Sequence, residues 1–148
     1  MIILSPFSKQ LKHGGANPKS PPISWWAELI TYLPAPLVQI GVQNDPQILD
    51  DFRMNLSLPE LSELILQCKT WIAVDSFIQH LGWDLGKPGV VIWGPSDPLI
   101  YGHPENINLI KDRSCLIPNQ FSTWEEVTYD ETRFLSPMNV IESIPQFL

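Results

Sequence analysis

Asp75 and Ser76 follow directly on the apolar run Trp71-Ile72-Ala73-Val74, and His80 stands four residues beyond Ser76. If a helix starts near Ser76, one turn puts Ser76 and His80 on the same face near its amino end. Free backbone N–H groups and the positive end of the helix dipole meet whatever lies there, which suits a phosphate or diphosphate. Ser76 offers a hydroxyl donor, and Lys12 or Lys19 from an earlier loop a positive charge. Asp75 fits as a base or as the cap of that helix, and Ser76 fits equally as a cap. His80 also fits as an ordinary surface or core histidine. A second polar group, Gly94-Pro95-Ser96-Asp97-Pro98, closes the next apolar run, with Tyr101-Gly102-His103 close behind. It reads as a plain turn, or as a further wall of a site beside the Asp75-Ser76 loop. Gln43 and Asp45 can contact a base or ribose or simply face solvent, and His13, His80 and His103 are too scattered to suggest a metal site.

The elements that must position these residues alternate along the chain. Ile2-Ile3-Leu4 reads as a buried strand, followed by a long, locally basic loop from Ser5 to Pro22 that carries Lys9, Lys12, His13, Gly14, Gly15 and Lys19. Ser24 is placed to cap a helix with Trp26, Leu29, Ile30 and Leu33 on its apolar face, stopped by Pro34 and Pro36. Leu37 to Gly41 is a second strand, G-V-Q-N-D-P a turn, and a short strand is expected near Phe52 to Leu56. Ser57 caps a helix with Pro59 in its first turn and Leu58, Leu61, Leu64, Ile65 and Cys68 on one face. Trp71 to Val74 and Val90 to Trp93 are continuous apolar strands of the kind buried in a parallel sheet, separated by a helix that Gly86-Lys87-Pro88-Gly89 breaks. Beyond Tyr101 the pattern loosens until Ser136-Pro137 opens a final helix with Val140, Ile141 and Ile144 inward. The reading is α/β: a single Rossmann-like domain over 1–148, with a mostly parallel sheet flanked by helices. In such sheets ligands sit at the carboxyl ends of the strands, where the loops Ser5 to Pro22, Asp75-Ser76 and Gly94 to Gly102 would converge.

With 148 residues, 44% of them hydrophobic, the chain can bury one core without disulfides or metal. Nine Lys and Arg against sixteen Asp and Glu give a net charge of −7, which speaks against binding nucleic acid backbones or anionic membranes nonspecifically. No apolar run approaches the roughly 20 residues of a membrane span, and the opening residues lack the charged flank of a signal peptide, so a cytoplasmic location is expected. Cys68 and Cys115 read as buried thiols, and most of the six tryptophans as core, with adjacent Trp25 and Trp26 the candidates for an exposed pair. Fifteen prolines, spread over the whole length, sit at the edges of apolar runs as element boundaries.

These residues resemble a family. D-S-F-I-Q-H is similar to the D-[TS]-G-x-x-H of glycosyltransferase family 9, the heptosyltransferase-like enzymes of GT-B fold. L-G-W-D-L-G-K-P-G-V-V-I-W-G-P-S-D-P resembles that family's apolar helix, G-K-P segment and G-P-T-D-P turn. L-S-L-P-E-L-S-E-L-I-L-Q-C-K-T-W-I-A-V-D is similar to its Leu-rich helix and the strand delivering the aspartate. K-S-P-P-I-S-W-W-A-E-L-I resembles the family's K-x-W-P-x-x-x-W-x-x-L-I, which selects Lys19 over Lys12, and S-P-M-N-V-I-E-S-I resembles its closing helix.

The resemblance implies the carboxyl-terminal, donor-binding half of a GT-B enzyme. Ser76 and the adjacent backbone would hold the diphosphate of a nucleotide sugar, Lys19 would neutralise it, Asp75 and His80 would shape the donor site, and Gly94, Ser96 and Asp97 would complete it. No cofactor is implied beyond the nucleotide diphosphate sugar as substrate. Phe77 stands where the family has glycine, so the approach of phosphate to backbone is altered. The family's acceptor site and proposed aspartate base belong to the amino-terminal domain, to which nothing here corresponds, so no catalytic residue is assigned. The expectation is a nucleotide-sugar-binding half that transfers a glycosyl group once a second protein or self-association completes it. The alternative is a noncatalytic nucleotide-binding or protein-assembly module derived from such a domain.

Overall fold

The computed structural model describes residues 1–148. Its strands are β1 (Ile2–Ser5), β2 (Leu37–Gly41), β3 (Phe52–Met54), β4 (Thr70–Val74), β5 (Val90–Ile92) and β6 (Ile107–Leu109). Its helices are α1 (Ile23–Tyr32), α2 (Leu58–Gln67), α3 (Phe77–Asp84), the single turn α4 (Pro98–Tyr101) and α5 (Pro137–Ser143). All strand pairs are parallel, in the order β3-β2-β1-β4-β5-β6. This is the doubly wound Rossmann order, in which the winding reverses between β1 and β4.

Two apolar layers explain the continuous apolar strands. Ile2, Leu4, Ile72, Val74, Val90 and Ile92 face Trp25, Trp26 and Leu29 of α1 and Val140 of α5. Ile3, Trp71, Ala73 and Val91 point to the other side, against Leu64 and Ile65 of α2 and Ile78 and Leu81 of α3. The strand period of two thus feeds both faces, so the runs Ile2 to Leu4, Trp71 to Val74 and Val90 to Ile92 are apolar at every position.

Local chemistry sets the helix boundaries, with one departure from the sequence reading. Ser57 caps α2 through a capping box: its hydroxyl accepts from Glu60 N–H, and the Glu60 carboxylate accepts from Ser57 N–H at 2.7 Å. Ser136 likewise caps α5. Ser24 caps nothing. Helix α1 already starts at Ile23, with Pro22 in the cap position and no side-chain cap bond, because the prolines Pro21 and Pro22 have set the extended backbone that launches it. Trp25 and Trp26 are both core, packed edge to face at 4.9 Å, so they form no exposed pair. Cys68 is buried and Cys115 only half-buried, which corrects the expectation of two buried thiols. Cys115 lies in a one-turn 3-10 segment after β6 and belongs to neither apolar layer. No helix is long and apolar enough to cross a membrane.

Candidate functional site

Because β1 and β4 are neighbours and their following helices pack on opposite faces, the loops leaving Ser5 and Val74 diverge and open a crevice at the carboxyl edge of the sheet. A cleft of about 920 Å³ lies there, lined by Lys19, Asp75, Ser76, Phe77, His80 and Trp124 among others. Residues separated by more than a hundred positions in sequence therefore face one space.

The long first loop is folded back on itself by short-range bonds. Asn17 donates to the Lys9 carbonyl at 2.7 Å and accepts from Lys19 N–H at 2.9 Å. Ser8 N–H donates to the Ser20 hydroxyl, and the Ser8 hydroxyl donates to the Asp75 carbonyl at 3.2 Å. Tyr129 ties the Ser20 carbonyl from the far end of the chain at 2.9 Å. This knot carries Lys19 into the cleft, where its Nζ lies 3.4 Å from Asp75 Oδ2 and 5.1 Å from the centre of the Trp124 ring. Lys12, the other candidate, is exposed and does not line the cleft.

Asp75 is the hub. Its side chain is only 9% exposed, one oxygen faces Lys19, and the other accepts from Gln79 Nε2 at 2.6 Å. Neither Asp75 nor Ser76 caps α3 with its side chain: Ser76 occupies the cap position, but its hydroxyl donates back to the Val74 carbonyl at 3.2 Å. Gln79 N–H donates to the Ser76 carbonyl at 3.3 Å, so the N–H groups of Phe77 and Ile78 are the ones at the start of α3 that no side-chain cap consumes. Phe77, the first helical residue, lines the same space with 61% of its surface exposed.

His80 lines the cleft one turn further on. The fold brings His103 to it from the segment after α4, Nδ1 to Nε2 at 2.8 Å, a juxtaposition the scattered sequence positions concealed. His13 stays apart, bonded to Gly15 N–H in the first loop. Partial burial and the neighbouring His103 hold the His80 pKa below the usual histidine value, with Lys19 acting in the same direction and Asp75 opposing.

Gly94, Ser96 and Asp97 do not line the cleft; they are buried beside it. A side chain at Gly94 would meet the Phe134 ring at 2.5 Å, so packing requires the glycine. The Ser96 hydroxyl is buried without a partner. Asp97 accepts from Leu99 N–H, capping α4, and pairs both carboxylate oxygens with Arg113 at 3.1 and 2.7 Å. Those bonds hold its pKa below the ordinary carboxylate value. Through Gln120, which accepts from Asp97 N–H and donates to the Pro95 carbonyl, this turn anchors the segment that brings Gln120, Phe121 and Trp124 onto the cleft. No periodicity in that segment signals its role. Of the remaining candidates, Asp45 and Tyr101 line the cleft, whereas Gln43 and Gly102 do not.

The parallel sheet in Rossmann order, with its crevice at the switch point between β1 and β4, defines a doubly wound α/β domain of the kind that makes up half of a GT-B fold. The chain belongs to glycosyltransferase family 9 (heptosyltransferase), whose family model matches residues 53–128. No curated protein matches it. Among solved structures it is similar to the ADP-heptose LPS heptosyltransferase II of E. coli, with 19% identity and a TM-score of 0.69 over 99% of this chain and 45% of that one. It is similar also to a family 9 glycosyltransferase from Veillonella parvula DSM 2008, with 18% identity, a TM-score of 0.68, and 99% and 45% of the two chains covered. A third is the E. coli heptosyltransferase WaaC with ADP, at 17% identity, a TM-score of 0.64, and 99% and 44% coverage. The chain thus spans less than half the length of the structures it resembles.

Proposed function

We propose that this chain is the nucleotide-sugar-binding half of a glycosyltransferase, whose cleft takes the diphosphate of the donor and which a second protein or a second copy completes. The supporting observation is the convergence of Lys19, Ser76, His80 and the uncapped start of α3 on one cleft at the switch point. A departing diphosphate gathers negative charge as the bond from sugar carbon to phosphate oxygen breaks. Preorganised N–H donors and an ammonium group lower the energy of that charge without reorganising. Lys19 is tethered by Asp75 and flanked by Trp124 before any ligand arrives, so its position costs little entropy to fix on binding. ADP is the first probe to try, because one of the similar structures is a complex with it. Titration calorimetry with ADP and a panel of nucleoside diphosphate sugars tests the proposal, and heat from none of them at millimolar concentration refutes it.

One observation favours a second reading, a noncatalytic binding or assembly module. Phe77 sets a large side chain at the mouth of the helix amino terminus, where the resembling motif has glycine. Co-purification with a specific protein, together with neither transfer nor donor hydrolysis by that complex, decides for this reading. Transfer by the complex decides against it.

A further inference from the structure

His80 and His103 meet edge to face, with ring centres 5.0 Å apart and planes at 84°. That geometry aims an N–H of one ring at the in-plane lone pair of the other, and the 2.8 Å contact between His80 Nδ1 and His103 Nε2 holds one proton. His103 is in turn stacked on Trp83, with centres 4.3 Å apart and planes 7° from parallel, so its orientation is braced from behind. Trp83 and His80 both belong to α3, whereas His103 follows α4, so the arrangement joins helix α3 to the segment after α4.

The proton can be placed in two ways. If His103 donates from Nε2, His80 accepts at Nδ1 and carries its own proton on Nε2, and both rings are in the Nε2–H form that a neutral histidine side chain prefers. The opposite placement puts both rings in the less favoured Nδ1–H form. The first placement turns the free edge of His80 into a hydrogen-bond donor, matched to an anionic oxygen; the second would leave a lone pair there, which repels one.

We infer that His103, braced by Trp83, is a positioning residue that fixes His80 in the Nε2–H tautomer, so that His80 offers the cleft a donor for an anionic oxygen of the ligand. The inference rests on the proposed diphosphate reading of the cleft only for the identity of that ligand. The charged and titratable groups facing His80 are His103, Asp75 and Lys19. A proton added at the free Nδ1 of His103 leaves the bond between the two rings in place; only protonation of His80 Nδ1, which removes the acceptor, sets two N–H groups against each other and parts the rings.

Long-range 1H–15N spectra of the histidine-labelled protein test this at pH 7.5. The wild type is expected to show His80 with a protonated Nε2 and an unprotonated Nδ1. In His103→Ala the two nitrogen shifts of His80 should converge toward a tautomer mixture and its titration midpoint should rise. His103→Gln, whose amide can donate to the same nitrogen, should restore the wild-type pattern. A protonated Nδ1 on wild-type His80, or unchanged His80 signals in His103→Ala, overturns the inference. ADP affinity adds a second arm: His103→Ala should weaken it about three- to tenfold, the value of one hydrogen bond, with His103→Gln in between. Equal affinity in wild type and His103→Ala also overturns it. Failure of the wild type to bind ADP or any nucleotide sugar counts against the proposed function, and the tautomer spectra then decide the inference by themselves.

Discussion

Replacing Phe77 with glycine should tighten the binding of nucleoside diphosphates, although it removes a large side chain from the cleft. Phe77 is the first residue of α3, behind a serine whose hydroxyl is turned back to the Val74 carbonyl, so the opening N–H groups of the helix have no side-chain cap. A diphosphate oxygen can reach them only if nothing bulky stands in front, and Phe77 is 61% exposed at that place. One charge-assisted hydrogen bond gained to a backbone N–H is worth about 1.5–3 kcal/mol, hence roughly ten- to a hundredfold in affinity. The cost in fold stability is small: the ring gives up little buried surface, and glycine in a helix is less favourable than alanine by about 1 kcal/mol, with less at stake at the first position. Calorimetric titration of wild type and Phe77→Gly with ADP reads the affinity, and thermal unfolding followed by circular dichroism verifies the fold. A Phe77→Gly protein that is folded and binds ADP no better than wild type, or more weakly, refutes the reasoning; it would mean that the ring contacts the ligand rather than obstructing it.

Lys19→Met, which keeps the aliphatic stem, should lower ADP affinity at least tenfold by calorimetry. It should also destabilise the fold by about 1–3 kcal/mol in urea titration, because Asp75 is left buried with Gln79 as its remaining side-chain partner. Gly82→Ala lies inside α3, where helix propensity favours alanine, yet it should destabilise by about 1–3 kcal/mol in the same assay. The added carbon would sit 2.7 Å from the Trp71 ring, which is fully buried and held by its indole N–H to the Lys87 carbonyl at 2.9 Å. Asp97 has a pKa depressed by Arg113, so the unfolded chain takes up its proton first as pH falls. Its contribution to stability should be complete above the unfolded value of about 3.9 and vanish as pH drops through the lower folded value. The stability difference between wild type and Asp97→Asn should accordingly be constant from pH 7 to 5 and shrink below about 4 in pH-dependent urea melts.

Much of the fold is written in local chemistry. The apolar runs at β1, β4 and β5 are continuous because both sheet faces are covered, and that burial is what a sequence of consecutive Ile, Val and Trp encodes. Ser57 and Ser136 announce their helices because a cap needs only its own hydroxyl and an N–H three residues on. The same logic misleads at Ser24, where proline geometry had already started the helix two residues earlier than such a cap would, and at Ser76, whose hydroxyl found a carbonyl behind it instead of an N–H ahead.

The site divides along the same line. Asp75, Ser76 and His80 are legible together because one strand-to-helix junction carries them all, and their spacing is the spacing of a single turn. The G-P-S-D-P group is legible as a motif, but its place is not: bonds to Arg113 and Gln120 and packing against Phe134 turn it into a buried anchor next to the cleft. Which lysine enters, which histidine stands against His80, and that Trp124 lies beside Lys19 are decided by contacts over roughly twenty to more than a hundred positions. The sequence by itself determined the alternating elements and the strand-to-helix junction at Asp75-Ser76, since both depend on residues within a turn of one another. Only the tertiary structure decided what surrounds that junction, because parallel strands and their crossovers bring distant loops to one edge of the sheet, and side-chain bonds across that edge leave no periodic trace in the chain.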